Sequence, residues 1–280
     1  EHVGSIADAD ALLFPRLLAV AEALWSAPRP PREDLERRAR ALLPLLDARH
    51  VGYFVAPPEL PERRVFLERT TLEVPRSPLY GGRVEIALDD GPFVPFTAPL
   101  TLSASTRLRA VRVLPGGRRS GVSEGRVARE SLSPARPRPT GGPGVLYDYV
   151  EGEFARVADL RDRAPTASGS LPTFGLPASR RKEHYALRER ALFVAPAGGV
   201  YTFIVTSDDG AVLRVDDRVV VDNDGHHAPR ARAGEMALAA GAHEVELGFF
   251  QGGGGDALSV SVRSPDGALR DLGALCWLPR

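Results

Sequence analysis

The spacing of apolar residues changes character along the chain. Between residues 5 and 50, Leu12, Leu13, Leu17, Leu18, Ala21, Leu24 and Trp25 recur at three- and four-residue intervals, the period that lines one face of a helix. Pro15 falls inside that run. It lacks the amide that a helix interior needs, so it is expected to start a helix at its first turn or to kink one. A further helix is predicted after Pro31, where Glu33 and Asp34 suit the positive end of a helix dipole. Leu35, Ala39, Leu42, Leu43 and Leu46 give its buried stripe, and Pro44 is expected to weaken its last turn. Two such helices cannot enclose a core with both stripes covered, so they must pack on something else.

From about Val65 the period shortens to two. Val84, Ile86 and Leu88 alternate with Glu85 and Ala87, and Leu108, Ala110 and Val113 lie in a second extended run. Turns at Gly91-Pro92 and Pro115-Gly116-Gly117 separate such runs, which predicts a small β-sandwich. Residues 131–144 (SLSPARPRPTGGPG) read as an extended linker. The strongest strand signals follow. Residues 200–206 are β-branched and aromatic throughout. Asp208-Asp209-Gly210 is read as a turn into residues 211–215, and Asp216-Asp217 as a turn into 219–221. Further strands fit 235–238, 243–250 and 258–262. Strands at a spacing of roughly ten residues predict an antiparallel sandwich or jelly-roll. The expected fold class is mainly β with an N-terminal helical segment. Its parts are helices over 1–62, a small Ig-like sandwich over 63–130, a linker over 131–144 and a jelly-roll-like sandwich over 145–280.

Charge changes the picture by exclusion. Thirty-six basic side chains balance 36 acidic ones, whereas a nucleic-acid binder would show a cationic excess. No run of about 18 uncharged apolar residues occurs, so no membrane-spanning helix is expected. Cys276 is the only cysteine, which excludes an intrachain disulfide and a cysteine-based zinc site. The sequence opens at Glu1 and its one methionine is Met236, so the chain is expected to be processed or part of a longer one.

Local motifs extend this reading. Ala195-Pro196-Ala197-Gly198-Gly199-Val200-Tyr201-Thr202-Phe203, then Ser207-Asp208-Asp209-Gly210, Leu213-Arg214-Val215-Asp216 and Val221-Asp222-Asn223-Asp224-Gly225-His226 follow in order. With 238–243 (LAAGAH) and 246–250, they resemble the protective-antigen-type domain, a β-sandwich found in bacterial glycosidases, toxins and yeast flocculins. Leu13-Phe14-Pro15-Arg16-Leu17 and Ala21-Glu22-Ala23-Leu24-Trp25-Ser26, with Gly52-Tyr53-Phe54 and Pro57-Pro58, resemble the end of a family 20 glycoside hydrolase, the β-N-acetylhexosaminidases. Ile86-Ala87-Leu88-Asp89-Asp90-Gly91, Ser105-Thr106-Arg107-Leu108-Arg109-Ala110 and Ser120-Gly121-Val122 are faintly similar to the small sandwich that often follows that barrel.

These resemblances imply the C-terminal part of a modular hexosaminidase whose accessory domain binds carbohydrate. The implied partners are N-acetylhexosamine-containing glycans and the remaining barrel, and the implied location is secreted, periplasmic or at the cell surface. In the enzyme family an adjacent Asp-Glu pair orients the substrate's acetamido group and protonates the leaving oxygen. No Asp-Glu dipeptide occurs here, and a (β/α)8 barrel needs about 250 residues, so this chain alone is expected to be inactive. The resemblance places Glu1 at the family's Trp-x-Glu, whose Glu accepts hydrogen bonds from the sugar's 4- and 6-hydroxyls. The rival reading is a stand-alone carbohydrate-binding or adhesion protein without activity.

Metal chemistry has one candidate. In the flocculins two consecutive aspartates joined by a cis peptide ligate calcium, which grips sugar hydroxyls. The resemblance carries this to Asp208 and Asp209, with Asp256 as a substitute for a further ligand from a later loop. Calcium takes hard oxygen ligands of this kind. Asp-Asp-Gly between strands is also ordinary hairpin chemistry, so both readings stand. Asp222-Asn223-Asp224-Gly225 is not an EF-hand, because Val220 and Ala231 fall where the first and last ligands belong. His226 and His227 read as hydrogen-bonded or solvated loop residues, Gly252 to Gly255 as a hairpin tip, and Cys276 as a buried apolar position.

Overall fold

The computed structural model describes residues 3–26, 28, 31–75, 77 and 79–279. The chain divides into two compact units, one of Glu1–Arg64 with Glu68–Ala128 and one of Val65–Leu67 with Arg129–Arg280. The fold is mainly β with three N-terminal helices.

In the first unit the helices are α1 (Ile6–Leu13), α2 (Arg16–Trp25) and α3 (Arg32–Ala48). Ser5 caps α1, its hydroxyl oxygen accepting from the Asp8 amide at 3.2 Å. Pro15 stands at the cap of α2, so it opens a helix, and the Phe14–Pro15 peptide is cis. α3 follows Pro31 with Glu33 and Asp34 in its first turn, and it runs through Pro44 to Ala48 instead of weakening there. Packing explains that difference: Leu43 and Leu46, on either side of Pro44, are buried with Tyr53, Val55, Tyr80 and Leu114. Leu42, expected in the same stripe, is exposed, and neither α1 nor α2 buries a residue fully.

The strands that follow along the chain are β1 (Arg64–Phe66), whose Val65 and Phe66 belong to the second unit, β2 (Thr70–Leu72), β3 (Arg83–Leu88), β4 (Val94–Pro95), β5 (Leu100–Leu102), β6 (Thr106–Val113) and β7 (Ser123–Arg129). β7, β6, β3 and β4 are successive neighbours in one sheet, and β2 pairs with β5. Ile86 stands opposite Ala110, and Leu88 opposite Leu108. β3 is covered on both faces, with Glu85 buried between the guanidinium groups of Arg83 and Arg119.

The second unit contains residues 131–144, which are hydrogen-bonded to the sandwich. The Ser133 amide donates to the Ala237 carbonyl, the Ala239 amide to Ser133, the Arg136 amide to Ala242 and the Leu278 amide to Gly142. Its strands are β8 (Val145–Glu151), β9 (Ala167–Leu171), β10 (Tyr185–Ala195), β11 (Gly199–Asp208), β12 (Ala211–Val215), β13 (Arg218–Asn223), β14 (Arg230–Leu238), β15 (Gly241–Gln251), β16 (Ala257–Arg263), β17 (Leu269–Asp271) and β18 (Cys276–Trp277). The larger sheet runs β13-β12-β15-β10-β8-β9, with β18 also on β10; the smaller runs β14-β11-β16-β17. Phe193, Tyr201, Phe203, Leu213, Met236 and Phe249 are among the side chains fully buried in the core. Phe193 meets Tyr201 and Phe203 edge-on at 5.4 and 5.8 Å, the geometry aromatic quadrupoles favour.

Two turn expectations separate here. Asp216 and Asp217, both at positive φ (47° and 64°), close the β12–β13 hairpin, the conformation a tight two-residue hairpin requires. Asp208-Asp209-Gly210 does not close a hairpin. β11 belongs to the smaller sheet and β12 to the larger, so these residues carry the chain from one sheet to the other. The glycine run at 252–255 is likewise no hairpin tip, since it returns the chain from β15 in the larger sheet to β16 in the smaller.

Candidate functional site

Both sheet crossings lie at one end of the second unit. Asp208 stands opposite Ala257 in the β11–β16 register, which brings Asp256 alongside the aspartate pair. The Phe250 amide donates to the Gly210 carbonyl at 2.9 Å, fixing the end of β15 against the same corner. Ser207, Asp208, Asp209, Asn223 and Gln251 form a buried polar layer. Asn223 donates to the Ser207 hydroxyl at 2.8 Å and to the Arg230 carbonyl at 3.0 Å. Gln251 accepts from the Asp209 amide at 3.1 Å and donates to the Gly255 carbonyl at 2.8 Å.

The two aspartates, whose shared peptide is cis, are treated differently by this layer. One Asp209 oxygen accepts the His227 amide and the other the Gly252 amide, both at 2.9 Å. Asp208 is only 8% exposed. Among the described residues, no donor reaches its carboxylate. Burial and then the charge of Asp209 hold its carboxyl above the usual carboxylate range, with Asp256 adding to the effect and His227 opposing it. A β-carbon built on Gly255 would meet the Asp208 Oδ2 at 3.6 Å, so this carboxylate faces the 255–256 segment.

Asp256 is occupied. Its Oδ2 accepts from Arg180 Nε at 2.6 Å and from the Tyr185 hydroxyl at 3.0 Å, and its Oδ1 from Arg180 Nη2 at 3.1 Å. The bidentate guanidinium holds the Asp256 carboxyl below its ordinary range. Burial, reinforced by Asp256, pushes the Tyr185 hydroxyl up. The three aspartates are neighbours, but no group of three or more His, Cys, Asp or Glu side chains converges as a metal cage among the described residues. Asp208 and Asp209 carry adjacent carboxylates, the hard-oxygen type that calcium takes, and of the two only Asp208 accepts no hydrogen bond among the described residues.

The other sequence candidates fall as follows. Glu1 lies outside the described residues. The His227 ring is spanned by the Asn223 and Ala228 carbonyls at 2.9 and 3.0 Å, and His226 Nδ1 lies 3.6 Å from Asp209. Cys276 is buried, and its thiol is pushed up by that burial. Arg180 and Tyr185 were not legible as site residues: 76 and 71 positions separate them from Asp256, and no local pattern links them.

Against protein families, residues 174–274 match the PA14 domain, the protective-antigen type. The C-terminal sandwich has the PA14 fold. Solved structures similar to the chain include the PA14 sugar-binding domain from an RTX adhesin, 17% identical over 49% of this chain and 99% of that one, with a TM-score of 0.44. The PA14 domain of the antifreeze protein MpAFP is 12% identical over 54% of this chain and 95% of that one, with a TM-score of 0.44. The epithelial adhesin 9 A domain from Candida glabrata, solved with Galβ1-3GlcNAc, is 10% identical over 51% and 96%, with a TM-score of 0.39. Comparison with curated proteins finds no match. The described residues of the chain contain no helix long and apolar enough to cross a membrane.

Proposed function

We propose that the PA14 sandwich is a calcium-dependent carbohydrate-binding module, with Asp208 and Asp209 holding the ion and the ion taking sugar hydroxyls. The observation that carries this reading is Asp208, a residue only 8% exposed whose carboxylate lies beside a second carboxylate and accepts no hydrogen bond among the described residues. Partial burial and the neighbouring charge of Asp209 disfavour its ionised form, and a bound cation offsets that cost. Calcium retains coordination positions that hydroxyls can fill. Calorimetry with calcium and then with N-acetylglucosamine oligomers tests the reading. Heat is expected for calcium, and for the oligomer only with calcium present. Asp208→Asn should abolish both, and absence of heat from either titration of the native chain overturns the proposal.

The larger assignment is an accessory region of a secreted or surface-exposed β-N-acetylhexosaminidase, with residues 1–62 as the last barrel helices and Glu1 as a sugar ligand of the intact enzyme. A specific feature favours it: Leu24 is 75% and Trp25 88% exposed on α2, and Leu12, Leu13 and Leu17 are exposed too, an apolar surface suited to cover by a further part of the fold. The gene sequence upstream of Glu1 is the test. An in-frame barrel with an Asp-Glu pair supports the assignment, and a start codon adjoining Glu1 sinks it in favour of a stand-alone adhesion protein. The 280-residue chain should release no product from an aryl N-acetylglucosaminide.

A further inference from the structure

The aspartate corner leaves a second concave surface of the sandwich without a role. In the larger sheet Ala191, Leu213, Val215, Val245 and Leu247 turn into the core. The residues between them on each strand, Arg190, Arg214 and Glu246, therefore stand on the outer face. Two hollows of about 410 and 560 Å³ lie along that face, each within the range of ligand sites. Arg214, Asp217 and Glu246 line both, so the two adjoin as one groove. One wall of it is fixed in place. The 3₁₀ turn Val157–Leu160 rests on β15 where Gly248 gives it room, since a β-carbon there would stand 2.3 Å from Val157 Cγ1. The Val157 amide donates to Asp224 Oδ1 at 2.9 Å and Arg188 Nη2 to the Leu160 carbonyl at 2.7 Å, tying the turn to the loop after β13 and to β10.

Glu246 is the unusual member of this face. It stands directly opposite Arg214 on β12 and Arg190 on β10, and opposite charges in such register ordinarily pair. Neither arginine takes it. Arg190 reaches Asp148 at 2.7 Å, and Arg214 Nη1 donates to the Asp217 carbonyl at 3.1 Å. Among the described residues, nothing hydrogen-bonds to the Glu246 side chain or forms an ion pair with it. The groove thus holds an open carboxylate, which only accepts, beside guanidinium groups, which only donate; a hydroxyl can satisfy both. A polyanion would meet Glu246 and Asp217, and a polycation would meet Arg161 and Arg214, so a polymer of either single sign is disfavoured.

We infer that this groove is a second, calcium-independent binding site for a neutral glycan chain whose sugars carry vicinal hydroxyls. The two oxygens of Glu246 can accept from both hydroxyls of one diol, while Arg214 donates to a neighbouring oxygen. An internal β-1,4-linked N-acetylglucosamine lacks such a diol, because the acetamido group replaces the 2-hydroxyl. An internal β-1,4-linked glucose or mannose keeps the 2,3-pair. The groove and the aspartate corner therefore select different sugars, and the inference shares with the calcium reading only the broad class of ligand.

Calorimetry on the full chain in EDTA tests it, with cellohexaose, β-1,4-mannohexaose and, as the control, the N-acetylglucosamine hexamer. Heat is expected from at least one of the first two and none from the third. Glu246→Gln should weaken that binding on the order of tenfold, and Asp208→Asn should leave it unchanged. Glu246 is exposed and unpartnered among the described residues, so the variant should melt as wild type does. No heat from cellohexaose and mannohexaose, equal affinity of Glu246→Gln and wild type, or equal binding of the N-acetylglucosamine hexamer in EDTA each overturns the inference. Tighter binding of hexagalacturonate overturns it too, since the arginines would then be the recognising groups. Glucan or mannan binding that needs calcium and disappears in Asp208→Asn refutes the groove while the calcium reading stands. Binding in EDTA that Glu246→Gln weakens, in a chain that gives no heat with calcium, upholds the groove and refutes the calcium reading.

Discussion

Glu189 is an acidic residue of the second unit whose ionisation should make that unit's stability depend on pH. It lies mid-way along β10, opposite Leu247 on one side and Tyr147 on the other, and it is fully buried. One carboxyl oxygen accepts the Gly175 amide at 3.1 Å, and the other has no partner. Burial pushes its carboxyl from 4.5 up to about 8. The folded chain therefore binds a proton that the unfolded chain has released throughout that interval. Stability from this group is complete below pH 4.5 and is lost as pH rises through about 8. Each pH unit costs about 1.4 kcal/mol, so by pH 7 the loss is about 3 kcal/mol, and across the whole window about 5 kcal/mol. Against the 5–15 kcal/mol typical of a domain this is large.

Glu189→Gln isolates the effect, since the amide has nearly the same shape and carries no titratable proton. Denaturant melts of wild type and variant between pH 5 and 8.5 should nearly coincide at the acid end. They should then diverge, with the variant more stable by about 3 kcal/mol near neutrality. The difference between the two curves removes every other titrating group, Asp208 included. Parallel curves across the range would show that the carboxyl is already ionised in the fold and refute the reasoning.

Two further perturbations follow from the packing of the same unit. Asp216 accepts from the Glu244 amide at 3.0 Å and the Ser133 hydroxyl at 3.0 Å, and lies 2.7 Å from His243 Nδ1, so Asp216→Asn, which tolerates the same backbone, should cost about 1–3 kcal/mol in urea melts; an unchanged midpoint would remove the proposed role of this clamp. A β-carbon on Gly234 would stand 1.8 Å from the Val220 carbonyl oxygen, so Gly234→Ala should cost about 1–3 kcal/mol through overpacking, and a variant as stable as wild type would refute that close approach.

What the sequence reveals follows the range of the interactions. β11, β12, β15 and β16 are legible because alternation and β-branching are local. β10, the central strand of the larger sheet, is obscured by Arg188-Glu189-Arg190, which reads as a charged surface run. In the fold the arginines flank Asp148 on the outside while Glu189 turns inward. The Asp-Asp-Gly crossing is obscured for another reason. A hairpin and a passage between sheets both need residues that leave the ladder readily, and only the distant partners of β11 and β12 distinguish them. The Arg180–Asp256 ion pair lies furthest out of reach, since its two ends meet only after β10 and β16 are placed.

The contrast between the two aspartates shows which part of the corner serves the fold. Asp209 joins two loops by accepting the His227 and Gly252 amides, so architecture alone accounts for it. Asp208 receives no donor among the described residues, and its ionised form is disfavoured by burial and by its neighbour's charge. A residue kept for stability would not be arranged this way. Replacing Asp208 by Asn should therefore remove an electrostatic cost, and in calcium-free buffer at pH 7 the variant should melt at or above the wild-type midpoint. With calcium present the order should reverse, because only the wild type gains the ion's binding energy. Asp208→Asn melting well below wild type without calcium would mean that the carboxylate is structural, and the functional reading of the corner would lose its main support.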